Sequence, residues 1–205
     1  MIAFAATIAG TFPWYIIRVS GLLGVGLMGL LMLSGIGQVT GFTYRFIEPL
    51  KAWALHKAVA LGLMAVIAVH VLTLLVDSFV PFNLKQILIP FASSYTNKTP
   101  LLGLSFAGWA VALGILAMYA LIIIVASSLG WIDSKKKTWH WLHYLSYFAM
   151  GATLLHALTV GTEFKSGSWR ALLLVGTIIV AIGVVSRLMR AGSLRRRHTS
   201  EKDVQ

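Results

Sequence analysis

Long apolar runs broken by short polar segments dominate the chain, and the length of the runs decides what they are. About 20 consecutive apolar residues are needed for a helix to cross the hydrocarbon core of a bilayer. Five stretches reach that length, at about 14–37, 53–77, 104–129, 139–160 and 170–190. The segments between them carry the Pro, Asn and Lys signals of loops. The longest, "SFVPFNLKQILIPFASSYTNKTPLL" at 78–102, holds three of the five prolines. Its "FNLKQILIPF" portion predicts a short helix lying at the membrane interface. The pattern therefore predicts an all-α fold: an integral membrane bundle of about five transmembrane helices. Residues 1–13, opening "MIAFAATIAGTF", lack the basic n-region of a secretory signal and read as an outer lead-in to the first span, short enough to be a remnant helix.

Composition agrees with this reading. The 205 residues are 58% hydrophobic and only 11% charged, against roughly 25% charged for a soluble domain. Mean hydropathy is +0.84. A net charge of +11 would suit a nucleic-acid binder, but the cations sit in loops and in the tail rather than on one folded face, so no nucleic acid is expected. They follow the positive-inside rule instead. Arg45 and Lys51 mark one loop, Lys135, Lys136 and Lys137 another, and six basic residues lie between Arg187 and Lys202. The other side carries only Lys85, Lys98, Lys165 and Arg170, with Arg18 just inside the first span. The N-terminus is thus expected outside a cell membrane, and the stretch 191–205 is expected to be a basic cytoplasmic tail. The second and fourth spans then run in the same direction.

The absence of cysteine removes disulfides, thiolate zinc sites, Cys-ligated iron–sulfur clusters and c-type haem attachment. Histidine is left as the candidate ligand, and it is concentrated where it is costly. Of six histidines, His56 and His70 lie in the second span, and His143 and His156 in the fourth, with His140 just before them. An intramembrane histidine is a functional-site hypothesis by default; its bland alternative is a helix–helix hydrogen bond. The thirteen residues separating the first pair and the twelve separating the second correspond to about 21 Å and about 20 Å along a helix. Two co-oriented helices thus each offer one imidazole at an inner and one at an outer level, and two facing imidazoles make a six-coordinate haem site. At about 100° per residue, His70 returns to within about 40° of His56, whereas His156 falls about 140° from His143. A bulge or bend near Gly151, or rotated haem planes, is expected to absorb that difference. Replacing His143 with His140 does not repair the phase and worsens the level match.

The double spacing, with "LHK" opening the first pair, the aromatic residues of "WHWLHYLSYF" around the second and "WYIIRVSGLLG" at 14–24, resembles the ferric reductase-like transmembrane domain. NADPH oxidases, ferric reductases and the haem-bearing membrane subunit of the periplasmic methionine sulfoxide reductase system share that domain. The resemblance covers about residues 14–190 and implies helices packed around two stacked b haems. It implies inner-haem ligation by His56 and His143, outer-haem ligation by His70 and His156, and an approach of Arg18 to an outer-haem propionate. For Arg18 the bland alternative is a side chain snorkelling to the interface. Lys57 can serve the inner haem in the same way or act as a cytoplasmic anchor. Oxygen-reducing members carry a further histidine one turn beyond the outer ligand, where this chain has Leu74, which argues against a dedicated superoxide generator. The sequence contains no FAD or NADPH domain, so a separate cytosolic flavoprotein or a quinol is the expected electron donor.

Other signals carry less. "GVGLMG" at 24–29 matches G-x-G-x-x-G but lies inside a span without the strand a dinucleotide site needs. Trp14, Trp53, Trp131, Trp139, Trp141 and Trp169 lie near span ends as an interfacial belt. Phe148 and Met64, midway between the levels, are expected in the core. His198 reads as a solvated tail residue, and Glu163 as an outer loop acid. Three functions follow. The first is a transmembrane conduit passing electrons to an extracytoplasmic acceptor. The second is a membrane subunit supplying a soluble periplasmic reductase. The third, of another class, is a proton or metal-ion transporter using histidine relays. Such relays usually include intramembrane acids, and Glu48, Asp77, Asp133 and Glu163 all fall at span ends or in loops.

Overall fold

The computed structural model describes the backbone over residues 2–78, 80–95, 107–165 and 167–202, and side chains over 11–78, 80–95, 108–165 and 167–189. Residues 104–106 of the third expected span, Lys98, and the side chains of the basic tail with His198 lie outside the described residues. No strand occurs among the described residues. The elements are α1 (Ile2–Val39), α2 (Pro49–Leu74), α3 (Leu84–Leu88), α4 (Ala107–Gly130), α5 (Lys136–His143), α6 (Leu145–Val160) and α7 (Gly167–Lys202). Short 3₁₀ turns at Thr43–Arg45 and Thr162–Phe164 join α1 to α2 and α6 to α7.

Four of these helices contain stretches long and apolar enough to span a bilayer: Thr11–Val39, Pro49–Leu74, Gly108–Gly130 and Gly167–Met189. Their outward surfaces are apolar too. Leu23, Leu30, Val69, Leu72, Ile122, Ile123, Leu172, Val175 and Ile182 are all exposed, which suits lipid and not water. The protein is a multi-pass helical membrane bundle. The fourth expected span, 139–160, is not one helix but two, α5 and α6, meeting at Tyr144.

That break differs from the expected one. Gly151 sits within α6, and the helix is interrupted instead directly after His143. The Tyr144 amide is shared at 3.2 Å between the carbonyls of His140 and Trp141, and the Tyr147 amide reaches the Tyr144 carbonyl at 3.2 Å. Those i→i−3 bonds tighten the turn toward 3₁₀ geometry, which adds about 20° per residue over the α-helix. The added rotation carries His156 back toward the face of His143, the direction the twelve-residue spacing requires.

Two expected boundaries also move. α1 runs unbroken from Ile2 through Pro13, so the lead-in is helical and continuous with the first span. α7 continues past residue 190 to Lys202. The short interfacial helix is present as α3, started by a capping box in which Asn83 accepts from the Gln86 amide and Gln86 accepts from the Asn83 amide, both at 3.0 Å.

Packing forms two helical hairpins. α1 lies along α2, α4 lies along α6, and α7 leans on α1. α2 and α6 make no comparable backbone approach, so side chains and space, not interlocked backbones, separate the two histidine-bearing helices. Between the histidine levels the bundle is filled by Met28 and Met32 of α1, Leu63 of α2, Leu121 of α4 and Met150 of α6. Leu63 is only 2% exposed, and Met64 packs against this cluster from its edge. Phe148, expected in the core, faces outward at 48% exposure. The buried face of α6 follows Ala149, Ala152 and Ala157, and Phe148 lies off that stripe.

Candidate functional site

The four histidines come together as two pairs at two depths. One pair lies at the end of the bundle carrying Arg45, Lys51 and Lys135–Lys137, here called the basic end. There the rings of His56 and His143 stand 6.4 Å apart between centroids and 45° from parallel. Imidazoles binding one metal from opposite sides, at about 2.0 Å per metal–nitrogen bond plus the ring radius, hold their centres roughly 6–6.5 Å apart. The basic-end pair already has that separation. His140 is exposed, with Nδ1 2.9 Å from its own helix carbonyl at Lys136, and takes no part.

At the far end, His70 and His156 line one cavity of about 430 Å³. Arg18, Leu74, Asp77 and Glu163 share its wall, and Phe82, Ile87, Tyr95 and Phe164 close it from the loop side.

Second contacts orient the rings. His156 Nδ1 is 2.7 Å from the Ala110 carbonyl of α4. His70 Nδ1 lies 3.1 Å from the Ile17 carbonyl and 3.1 Å from Ser20 Oγ, both on α1. His56 Nδ1 is 2.7 Å from Ser34 Oγ of the same helix. A carbonyl only accepts, so the Nδ1 atoms of His156 and His70 carry the proton and leave Nε2 as the free lone pair. That is the arrangement a metal-ligating histidine needs. His143 is the exception. Its buried Nδ1 has no hydrogen-bond partner among the described residues, and its ring is instead packed 5.2 Å from that of Trp139.

Close backing requires glycine. A Cβ added at Gly114 would fall 2.7 Å from both Cε1 and Nδ1 of His156, so α4 can approach that ring only with glycine there. Gly21 and Gly35 of α1 stand behind His70 and His56, with the same added atom at 3.5 Å from Cε1 in each case.

The charged residues are placed less as expected. Arg18 does not extend freely to the interface; it stacks 4.0 Å over the Trp14 ring and forms an ion pair with Glu163. Glu163, read as a free loop acid, is thus committed to Arg18. Lys57 is exposed and lies 3.9 Å over the Trp53 ring, an anchoring position at the surface. Arg187, counted only among the tail cations, turns inward to the Tyr147 hydroxyl and lies over the rings of Tyr144 and Tyr147. Asp77 sits past the end of α2, where one carboxylate oxygen accepts from the Val80 amide at 3.0 Å.

No cluster of three or more His, Cys, Asp or Glu side chains able to hold a metal ion occurs among the described residues. The histidines come in twos, which completes a metal shell only where a macrocycle supplies the remaining ligands. Fold and site together define a helical membrane bundle with paired intramembrane histidines. The chain belongs to the family described as ferric reductase like transmembrane component, whose model matches residues 20–154, more than half its length. The match includes His56, His70 and His143 and ends two residues before His156. No curated protein and no solved structure matches the chain. Membership of this family gives it a role in membrane electron transfer.

Proposed function

We propose that the chain holds two b-type haems, one between His56 and His143 and one between His70 and His156, and conducts electrons across a cell membrane. The basic end faces the cytoplasm in this reading, by the positive-inside rule. A cytosolic flavoprotein or a quinol is the donor, and the acceptor lies beyond the far end. The acceptor is a small extracytoplasmic oxidant or a soluble periplasmic reductase.

One observation carries the reading. Two helices that are not in close backbone contact present two pairs of imidazoles at two depths, one with its ring centroids at the separation of a shared metal and the other lining one cavity. Haem held at these positions would supply reversible one-electron chemistry, with two histidines of the chain as its ligands at each level.

The remaining roles belong to the chain. Ser34, Ile17 with Ser20, and Ala110 fix ring tautomers. Gly114 lets α4 back His156. Arg18 gives the far-end cavity a cation with which to meet a carboxylate, in exchange for or alongside Glu163. Leu74, on the cavity wall, supplies no further ligand. The hydrophobic cluster from Met28 to Met150 keeps water from crossing between the levels.

The test is a reduced-minus-oxidised visible spectrum with haem quantitation on the purified protein. Two b haems per chain are expected. A colourless protein overturns the proposal.

A further inference from the structure

We infer that the repeated Ser-Gly step of α1, Ser20-Gly21 and Ser34-Gly35, is a positioning device that sets the tautomer and electron donation of His70 and His56. The inference rests on the reading above and assigns to α1 a role in tuning the two haem levels.

Register provides the first support. The two Ser-Gly steps lie fourteen residues apart on α1, and the two histidines lie fourteen apart on α2. The helices run antiparallel, so Ser20 meets His70 and Ser34 meets His56. A single hydrogen bond of this kind is an ordinary helix–helix contact. The same two-residue step at both depths, each with its serine on Nδ1 and its glycine behind Cε1, is not accounted for by packing alone.

Hydroxyl chemistry provides the second. A serine hydroxyl has one hydrogen. Ser34 Oγ lies 3.0 Å from the Leu31 carbonyl, and Ser20 Oγ lies 2.6 Å from the Ile16 carbonyl, each in its own helix. A carbonyl cannot donate, and with the hydroxyl hydrogen turned to it the oxygen faces histidine only as an acceptor. At His70 the Ile17 carbonyl, which also only accepts, requires the proton on Nδ1. At His56 the inference assigns the same tautomer, with Nε2 left unprotonated for a metal. The result is a chain from imidazole N–H to hydroxyl to carbonyl, in which each bond polarises the next. Acceptors on the outer nitrogen of a ligating histidine fix its orientation and increase its donation to the metal, which favours the oxidised iron and lowers the potential.

The two steps are unequal. Among the described residues Ser34 is the one acceptor for His56 Nδ1, at 2.7 Å. His70 Nδ1 also has the Ile17 carbonyl, so it keeps an acceptor when Ser20 is removed. The Ser34 substitution therefore has the larger effect.

Two measurements decide the matter. In the full-length protein without added haem, ¹⁵N spectra of the histidine side chains should show His56 and His70 as the Nδ1–H tautomer. Ser34→Ala should convert His56 to a mixture, and Ser34→Thr, which keeps the hydroxyl, should restore it. In the haem-loaded protein, potentiometric titration of Ser34→Ala should move one of two midpoints upward and leave the other in place. Ser20→Ala should move the second by a smaller amount, with Ser34→Thr close to wild type. Unchanged tautomers, or unchanged midpoints in both alanine variants, overturn the inference. A wild-type protein that takes up no haem overturns the proposed function instead, and the tautomer measurement then decides the role of the serines alone.

Discussion

The two ends of the bundle solve the same problem with different degrees of preparation. At the far end both imidazoles are tethered through Nδ1 to main-chain carbonyls, they line a formed cavity, and a charged pair stands beside them. At the basic end the ring centroids already stand 6.4 Å apart, but among the described residues only His56 has an Nδ1 tether, and that through a side chain. His143 is held by Trp139 packing and by its place at the last residue of the short helix α5. The far level is fixed by rigid helix backbone, the basic level by side chains and a broken helix. Preorganisation by main chain resists perturbation, because carbonyls on long helices do not adopt other rotamers. The comparison therefore predicts two sites that fail separately and with unequal ease.

The strongest challenge removes a ligand outright. His70→Ala should halve the haem content from two to one per chain, and the retained spectrum should be that of the basic-end site. Loss of both haems, measured by haem extraction, would show that the levels are not independent. A steric change should come next. Gly114→Val places a side chain where a Cβ would lie 2.7 Å from the His156 ring, and far-end haem affinity should fall about tenfold or more. Gly35→Ala, with ordinary contact at 3.5 Å, should leave the basic-end haem bound. Equal losses in the two glycine variants would break the distinction between close backing and ordinary packing.

Charge should matter less. Reduction adds an electron to the far-end site, and a nearby cation favours it. Arg18→Gln should lower that midpoint and Glu163→Gln should raise it. At an effective dielectric of 20 and roughly 8–15 Å, a unit charge contributes about 1–2 kcal/mol, and the basic-end midpoint should move much less in a redox titration. The smallest effect should come from Ser128→Ala. It removes the 3.0 Å bond from Trp139 Nε1 that ties α5 to α4, worth about 1 kcal/mol. Its expected signature is a broadened low-spin electron paramagnetic resonance signal from the basic-end haem alone.

Much of this arrangement was legible in the sequence because membrane crossing imposes lengths and because costly residues stand out against an apolar background. Four of the spans and α3 follow from those two rules, while the stretch 139–160 is divided into α5 and α6; family membership bears out the resemblance. What was not legible depends on partners remote in sequence. Glu163 reads as an isolated acid until α6 brings it to Arg18. Arg187 reads as a tail cation until α7 turns it onto Tyr144 and Tyr147. Gly151 is where the sequence suggests a bulge or bend, since glycine weakens helices. The break occurs at Tyr144, where no residue type announces it and only the local hydrogen bonds of the Tyr144 and Tyr147 amides define it. The Ser-Gly steps were visible all along. Their fourteen-residue interval equals that of His56 and His70, and laying the first two spans antiparallel would have aligned them.

The oxygen that receives the His156 proton belongs to the peptide unit of Ala110. Every amino acid contributes an identical oxygen at that point, so no codon change at 110 deletes the tether while α4 stays helical. Genetic drift can reach the attachments of His56 and part of those of His70. The attachment of His156 is encoded by the shape of the chain and not by its letters.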